Sequence, residues 1–145
     1  VSIADAIDRA MDGLRDGGTA EVEEGGIRAE VEVVEADRIG ARVRRIRVER
    51  QVPYALGPVA DHWPKQLKDL PDRVIPIEVD PGLGGATLRT DPDDRSDDRF
   101  IEVHVRGATT DIRRHRVVDG NREPADWAMT REGLRRILDT LSQGS

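Results

Sequence analysis

At 145 residues, with 37% hydrophobic and only 3% aromatic side chains, the chain has the size of one domain with a core of Val, Ile, Leu and Ala. A net charge of −6 argues against attraction to nucleic acid or an anionic membrane through the overall field. The lack of cysteine excludes disulfides, thiolate metal sites and thiol nucleophiles. No apolar run approaches the roughly 18 residues of a membrane span, and no basic-then-apolar leader is present, so a soluble, cytoplasmic protein is expected. Val1 in place of Met reads as the loss of a few residues, and Gly144-Ser145 reads as a tail without structural interest.

A first helix is expected over 2–16. Ser2 can cap it, Asp5 stands three residues on, and Ile3, Ile7, Met11 and Leu14 share one face before Gly17-Gly18 stops it. A three-stranded meander is expected over 19–50. Gly25-Gly26 is a two-residue hairpin turn that pairs Glu24 with Ile27, Val22 with Ala29 and Ala20 with Val31. The next turn, around Asp37 to Gly40, is threaded with Val33 opposite Ala41 and Val31 opposite Val43. That register sets Glu32 against Arg42 and Glu30 against Arg44, and the shift of apolar parity to Ile46 and Val48 requires a β-bulge near Arg44-Arg45.

Residues 51–72 carry prolines at 53, 58, 64 and 71, which predict a cover segment with at most a short helix starting at Pro64. Strands return over 74–118: Val74–Val79, with Pro76 hinting at an edge, Ala86–Thr90, Phe100–Arg106 and Ile112–Val118. A closing helix is expected over 124–142. Thr130 can cap it, Trp127 and Met129 lead into it, and Leu134, Ile137, Leu138 and Leu141 form its apolar face. Runs of consecutive strands predict one α+β domain over 1–145. Its twisted, mainly antiparallel sheet of about six or seven strands packs against N- and C-terminal helices, with the Pro-rich cover in the middle. Both terminal helices are expected on one side of the sheet, leaving Glu–Arg pairs on the other.

Chemistry has few places to sit. The arginines Arg42, Arg44, Arg45, Arg47 and Arg50, with Arg113, Arg114 and Arg116, suggest an anion-binding ribbon. Cross-strand carboxylates such as Glu30 and Glu32 would neutralise it, and no aromatic residues interleave it to stack bases, which weighs against nucleic acid. The acidic loop Asp91, Asp93, Asp94, Asp97 and Asp98 matches a calcium loop only in part, because Arg95 and Ser96 occupy a ligand and the turn position. Pro81–Gly85 reads as a tight turn. No metal and no cofactor is expected.

Three histidines remain. His104 and His115 lie on the two arms of one hairpin. An Ala108-Thr109 turn sets His104 against Arg113 and Glu102 against His115 on the solvent side; a three-residue loop buries His115 instead. His62, His104 or His115 with Glu102 are the candidates for an acid–base pair. Tyr54 and Trp63, with Arg42 and Arg44, are the candidates for a binding surface, against the plainer reading that the two aromatics fill the core.

In element order, size and acidity the chain resembles the class I type III secretion chaperones, a resemblance that spans the whole chain and transfers no residue. It implies a non-catalytic binding module, a homodimer and a protein partner; charge and composition, independently, weigh against nucleic acid and membrane. The alternative is a small hydrolase-like enzyme using the His/carboxylate pair.

Overall fold

A computed structural model describes residues 2–94 and 98–143, so Val1, Arg95, Ser96, Asp97 and the expected Gly144-Ser145 tail lie outside the described residues. The order is α1 (Ile3–Met11), β1 (Gly18–Glu24), β2 (Ile27–Ala36), β3 (Gly40–Glu49), α2 (Leu56–Gln66), β4 (Val74–Asp80), β5 (Gly85–Thr90), β6 (Arg99–Arg106), β7 (Thr109–Val118), β8 (Asn121–Ala125), β9 (Trp127–Thr130) and α3 (Arg131–Gln143). The α+β class is as expected, with nine strands among the described residues instead of six or seven. All neighbours pair antiparallel in the order β1-β2-β3-β7-β6-β5-β4, so two meanders meet along β3 and β7.

The two cap residues read from the sequence are in place. The Asp5 N–H donates to Ser2 Oγ (3.0 Å) at the start of α1, and the Gly133 N–H donates to Thr130 Oγ1 (2.9 Å) at the start of α3. α1 stops at Met11, short of residue 16, and the chain then turns at Gly17 with φ +100°. A Cβ there would stand 2.7 Å from the Val34 carbonyl oxygen, so only glycine fits.

α2 corrects the expected short helix at Pro64, since it runs from Leu56 to Gln66. Pro58 falls in its first turn, where an N–H has no helical acceptor, and Pro64 in its last, so neither proline breaks it. Val59 and Trp63 of α2, and Leu67 and Leu70 beyond it, are buried against the rest of the core. α1 packs on β1 and β2 and against α3, α3 on β3, and α2 on β4 and β5. The strands turn Val31, Val43, Ile46, Ile101, Val103, Leu88 and Ile112 into the same core. The opposite face carries mainly polar side chains, as the alternation predicted, with Phe100 and Ile75 among them.

Three registers matter for that open face. The β1–β2 pairs are those expected, around a turn whose Gly25 and Gly26 both take positive φ (59° and 79°). The β2–β3 register is corrected: Val33 faces Val43 and Val31 faces Ile46. The cause is a four-residue turn in which Asp37 Oδ1 accepts from the N–H groups of Ile39 and Gly40 (2.8 Å each), bringing Ala36 opposite Ala41. The expected bulge is present at Arg44, and a second irregularity at Val34 takes up the remaining offset. Glu32 therefore faces Arg45, Glu30 faces Arg47, and Arg42 faces Glu35.

The β6–β7 hairpin turns at Gly107-Ala108, not at Ala108-Thr109, because Gly107 supplies the left-handed position (φ +58°). His104 then faces Asp111, Glu102 faces Arg113, and Phe100 faces His115. His115 stays on the open face, as in the first expected register, but one pair further along.

Residues 121–130, partly assigned to the closing helix, form two strands. β7 leaves β3 beyond Arg113, which opens a hydrogen-bonding edge on each. β8 fills the edge of β7, the chain bends at Asp126, and β9 fills the edge of β3 with Trp127 buried opposite Val43. Pro124 suits such a short outer strand better than a helix interior.

Candidate functional site

Among the described residues the open face has one buried charge, and it organises its surroundings. The side chain of Glu102 is 3% exposed although it lies on the face away from the helices. Alternation along β6 puts Phe100, Glu102 and His104 on this face, β5 adds Thr87 and Arg89, β7 adds Asp111, Arg113 and His115, and β8 adds Arg122. Arg89 donates from Nε to Glu102 Oε2 (2.9 Å). The other oxygen, Oε1, is approached by His104 Nε2 at 3.1 Å, His115 Nε2 at 3.3 Å and Arg122 Nη1 at 3.5 Å. The Phe100 ring packs beside this group, with the Arg122 and Arg89 guanidinium carbons 5.1 and 5.5 Å from its centroid.

Burial works against the charge on Glu102, but hydrogen bonds from Arg89 and His104 outweigh it and hold its carboxyl below the usual range. His115 shifts the other way for its class. Burial favours its neutral form, and the attraction of Glu102 does not overcome that, so its pKa lies below the ordinary histidine value.

These two shifts set a pH profile. The unfolded chain takes up a proton on residue 115 near pH 6.5, while the folded protein keeps His115 neutral to lower pH. Stability contributed there is complete above about pH 6.5 and is lost as pH falls through the folded value. Glu102, and Asp111 held down by Arg45 and Arg113 against its burial, contribute stability that is complete above about pH 4.5 and lost as pH falls through their depressed values. Urea midpoints are expected to decline in two stages on acidification, and His115→Gln is expected to flatten the upper stage. A variant with the wild-type slope between pH 7.5 and 5 would contradict this.

Next to this group the face is concave. A cleft of about 700 Å³ is walled by residues of β3 to β7, among them Arg45, Arg47, Glu78, Thr87, His104 and Asp111. Arg45 is pinned on its wall by two bonds to Asp111 (2.9 and 2.6 Å), with Glu32 at 3.8 Å. Thr87 Oγ1 lies 3.2 Å from His104 Nδ1, so one imidazole links a hydroxyl in the cleft to the buried Glu102 carboxylate.

The other sequence candidates lie elsewhere. His62 is exposed on α2, on the helix side of the sheet, and does not join the pair. Tyr54 and Trp63 are buried, stacked edge-to-face at 5.4 Å, and Tyr54 donates its hydroxyl proton to the Leu141 carbonyl (2.7 Å). They are core under the cover and expose no aromatic binding surface. Arg42 pairs with Asp126 (3.0 Å) and Glu35 (3.8 Å), whereas Arg44, on its bulge, has no ion pair among the described residues. The rest of the ribbon is largely spoken for: Arg50 lies over the Tyr54 ring, Arg113 on Asp111 and Arg116 on Glu123.

In the acidic loop, the nearly buried Asp91 accepts from the Asp93 N–H (3.0 Å) and pairs with Arg73; of the other positions of the calcium-loop reading, Glu102 is held in β6 by Arg89 and Asp97 lies outside the described residues. Among the described residues no group of three or more His, Asp or Glu is arranged to hold a metal ion, and no helix is long and apolar enough to cross a membrane.

Thr87, Arg89, Asp111 and Arg122 were not singled out from the sequence. The alternation of β5 carried a signal for the first two, since Thr87 and Arg89 interrupt its apolar positions; Arg122 became visible only once β8 was seen to fold back. No family model, curated protein or solved structure matches the chain.

Proposed function

We propose that the chain is a non-catalytic binding module that holds a polar ligand, a small molecule or a segment of a partner protein, in the open-face cleft. The observation that supports this is the cleft itself. Its volume of about 700 Å³ lies in the range of ligand sites, and its walls present Arg45, Arg47 and Arg106 against Glu78, Asp80 and Asp111, with the exposed Leu83 at its edge. A ligand carrying both signs of charge and a small apolar part fits that lining. Amide spectra recorded during a screen of zwitterionic compounds and short peptides test it. Saturable shifts are expected at Thr87, His104 and Arg106, and they should vanish in Arg47→Glu. Binders that perturb only other surfaces would remove the proposal. A second copy of the chain is one partner this face would accept, and light scattering showing a concentration-independent monomer would remove the homodimer from it.

One observation favours the hydrolase-like alternative. The Thr87, His104 and Glu102 side chains are joined in series at 3.2 and 3.1 Å, in the order nucleophile, base, orienting carboxylate. Against it, Glu102 divides its two oxygens among Arg89, Arg122 and His115 as well, as a structural counter-ion would. Turnover of an activated ester that is abolished by both Thr87→Ala and His104→Ala would establish the enzyme. Equal background rates in all three proteins would dismiss it.

A further inference from the structure

The fork where β7 parts from β3 collects guanidinium groups. Arg42 and Arg44 from β3, Arg99 from β6, and Arg114 and Arg116 from β7 line one recess of about 210 Å³, closed by Pro124, Ala125 and Asp126 at the bend between β8 and β9. Among the described residues Asp126 is the only carboxylate in that lining. Its Oδ1 is taken by Arg42, and Arg116 is satisfied from outside the recess by Glu123 at 3.2 Å. Arg99 is engaged as well, which leaves Arg44 and Arg114. Arg44 has neither ion pair nor hydrogen bond among the described residues. Arg114 donates from Nη1 only to the Asp126 carbonyl (3.1 Å), and its Nε is buried without a partner.

Like charges gathered this way in a chain of net charge −6 repel one another, and a buried guanidinium N–H without an acceptor costs further free energy. Both costs are removed by one anion. We propose that the recess binds a single tetrahedral oxyanion, phosphate or sulfate, either free or as the terminal group of a small ester. Guanidinium groups present paired N–H donors that match two oxygens of such an anion, which ammonium groups do not. The recess is below the usual size of a drug-like ligand site, so it suits one such group better than a polymer. In the rest of the arginine ribbon Arg45 and Arg113 pair with Asp111, and Arg50 donates to the Gln143 carbonyl and lies over the Tyr54 ring, so among the described residues only Arg47 is left and no continuing track is offered to a nucleic-acid backbone. The site is separate from the open-face cleft and does not depend on the function proposed there.

Calorimetric titration of the full chain with inorganic phosphate, sulfate and phenyl phosphate at low ionic strength tests it. Saturable binding with one site per chain is expected. Arg44→Gln and Arg114→Gln should each weaken it about tenfold or more, the loss of a charge-assisted hydrogen bond. Arg44 is exposed on its bulge, so Arg44→Gln keeps the test valid even if Arg114→Gln folds poorly. Arg28→Gln, on the distant β2, should bind as wild type. Tighter binding of phenyl phosphate points to an ester, and equal or tighter binding of inorganic phosphate points to the free anion. The proposal falls if heats match those of sodium chloride at equal ionic strength, or if both variants bind as wild type. It also falls if a mixed oligonucleotide binds through Arg44 more tightly than any single anion.

Discussion

Replacing Glu102 with alanine is expected to cost about 3 kcal/mol, in the lower part of the range for removing one partner of a buried ion pair. The reason is what would be left behind. Arg89, Arg122, His104 and His115 converge on this one carboxylate, and without it they face each other with no anion between them. The loss is not larger because Arg89, Arg122 and His104 are themselves partly exposed (His104 at 51%) and can turn to water. Glu102→Gln keeps the shape and one acceptor, so a smaller loss is expected. Chemical denaturation measures both, and a double-mutant cycle with Arg89→Ala isolates the pair. Arg89→Ala should cost much less in the Glu102→Ala background than alone. Additive losses would mean that the carboxylate is merely buried and does not hold the open face together.

This hub shows what a one-dimensional reading can and cannot reach. The faces were legible: alternation in β2 and β6 assigned nearly every core position, and the caps at Ser2 and Thr130 were visible as residue types at fixed offsets. Registers were harder, because an antiparallel pair slipped by two residues keeps every side chain on its own face. The β2–β3 and β6–β7 hairpins were both threaded with the correct faces but displaced partners. In each, turn chemistry decided the pairing: the Asp37 carboxylate in one and the left-handed Gly107 in the other. The displacement matters little for the core and greatly for the site, since it changes which charge meets which.

The fork lay beyond the sequence for another reason. β8 and β9 are short, carry a proline and precede a strong helix, so local propensity merges them into it. They exist as strands because two neighbouring strands diverge and leave edges to fill, a condition no local window contains.

Trp63→Ala is expected to cost about 3–5 kcal/mol, the range for truncating a buried Trp. Trp63 is fully buried at the junction of the cover with the sheet, where its ring meets the edge of Tyr54. Tyr54 in turn ties the cover to α3 through the Leu141 carbonyl, and its backbone N–H donates to the Gly107 carbonyl (2.9 Å) at the β6–β7 turn. Removing the indole therefore leaves a cavity beside Tyr54, the residue that ties the cover to α3 and to the β6–β7 turn, and α2 should loosen before the sheet does. Hydrogen exchange is expected to quicken over 54–70 in Trp63→Ala while β2, β3 and β7 keep their protection. Tyr54→Phe, which keeps the ring and drops the hydroxyl, is expected to cost only about 1 kcal/mol, one intramolecular hydrogen bond. If Tyr54→Phe proves as costly as Trp63→Ala, the cover is held mainly by its polar link to α3. If exchange quickens evenly over the whole chain, the cover and the sheet unfold as one unit and the indole belongs to the common core.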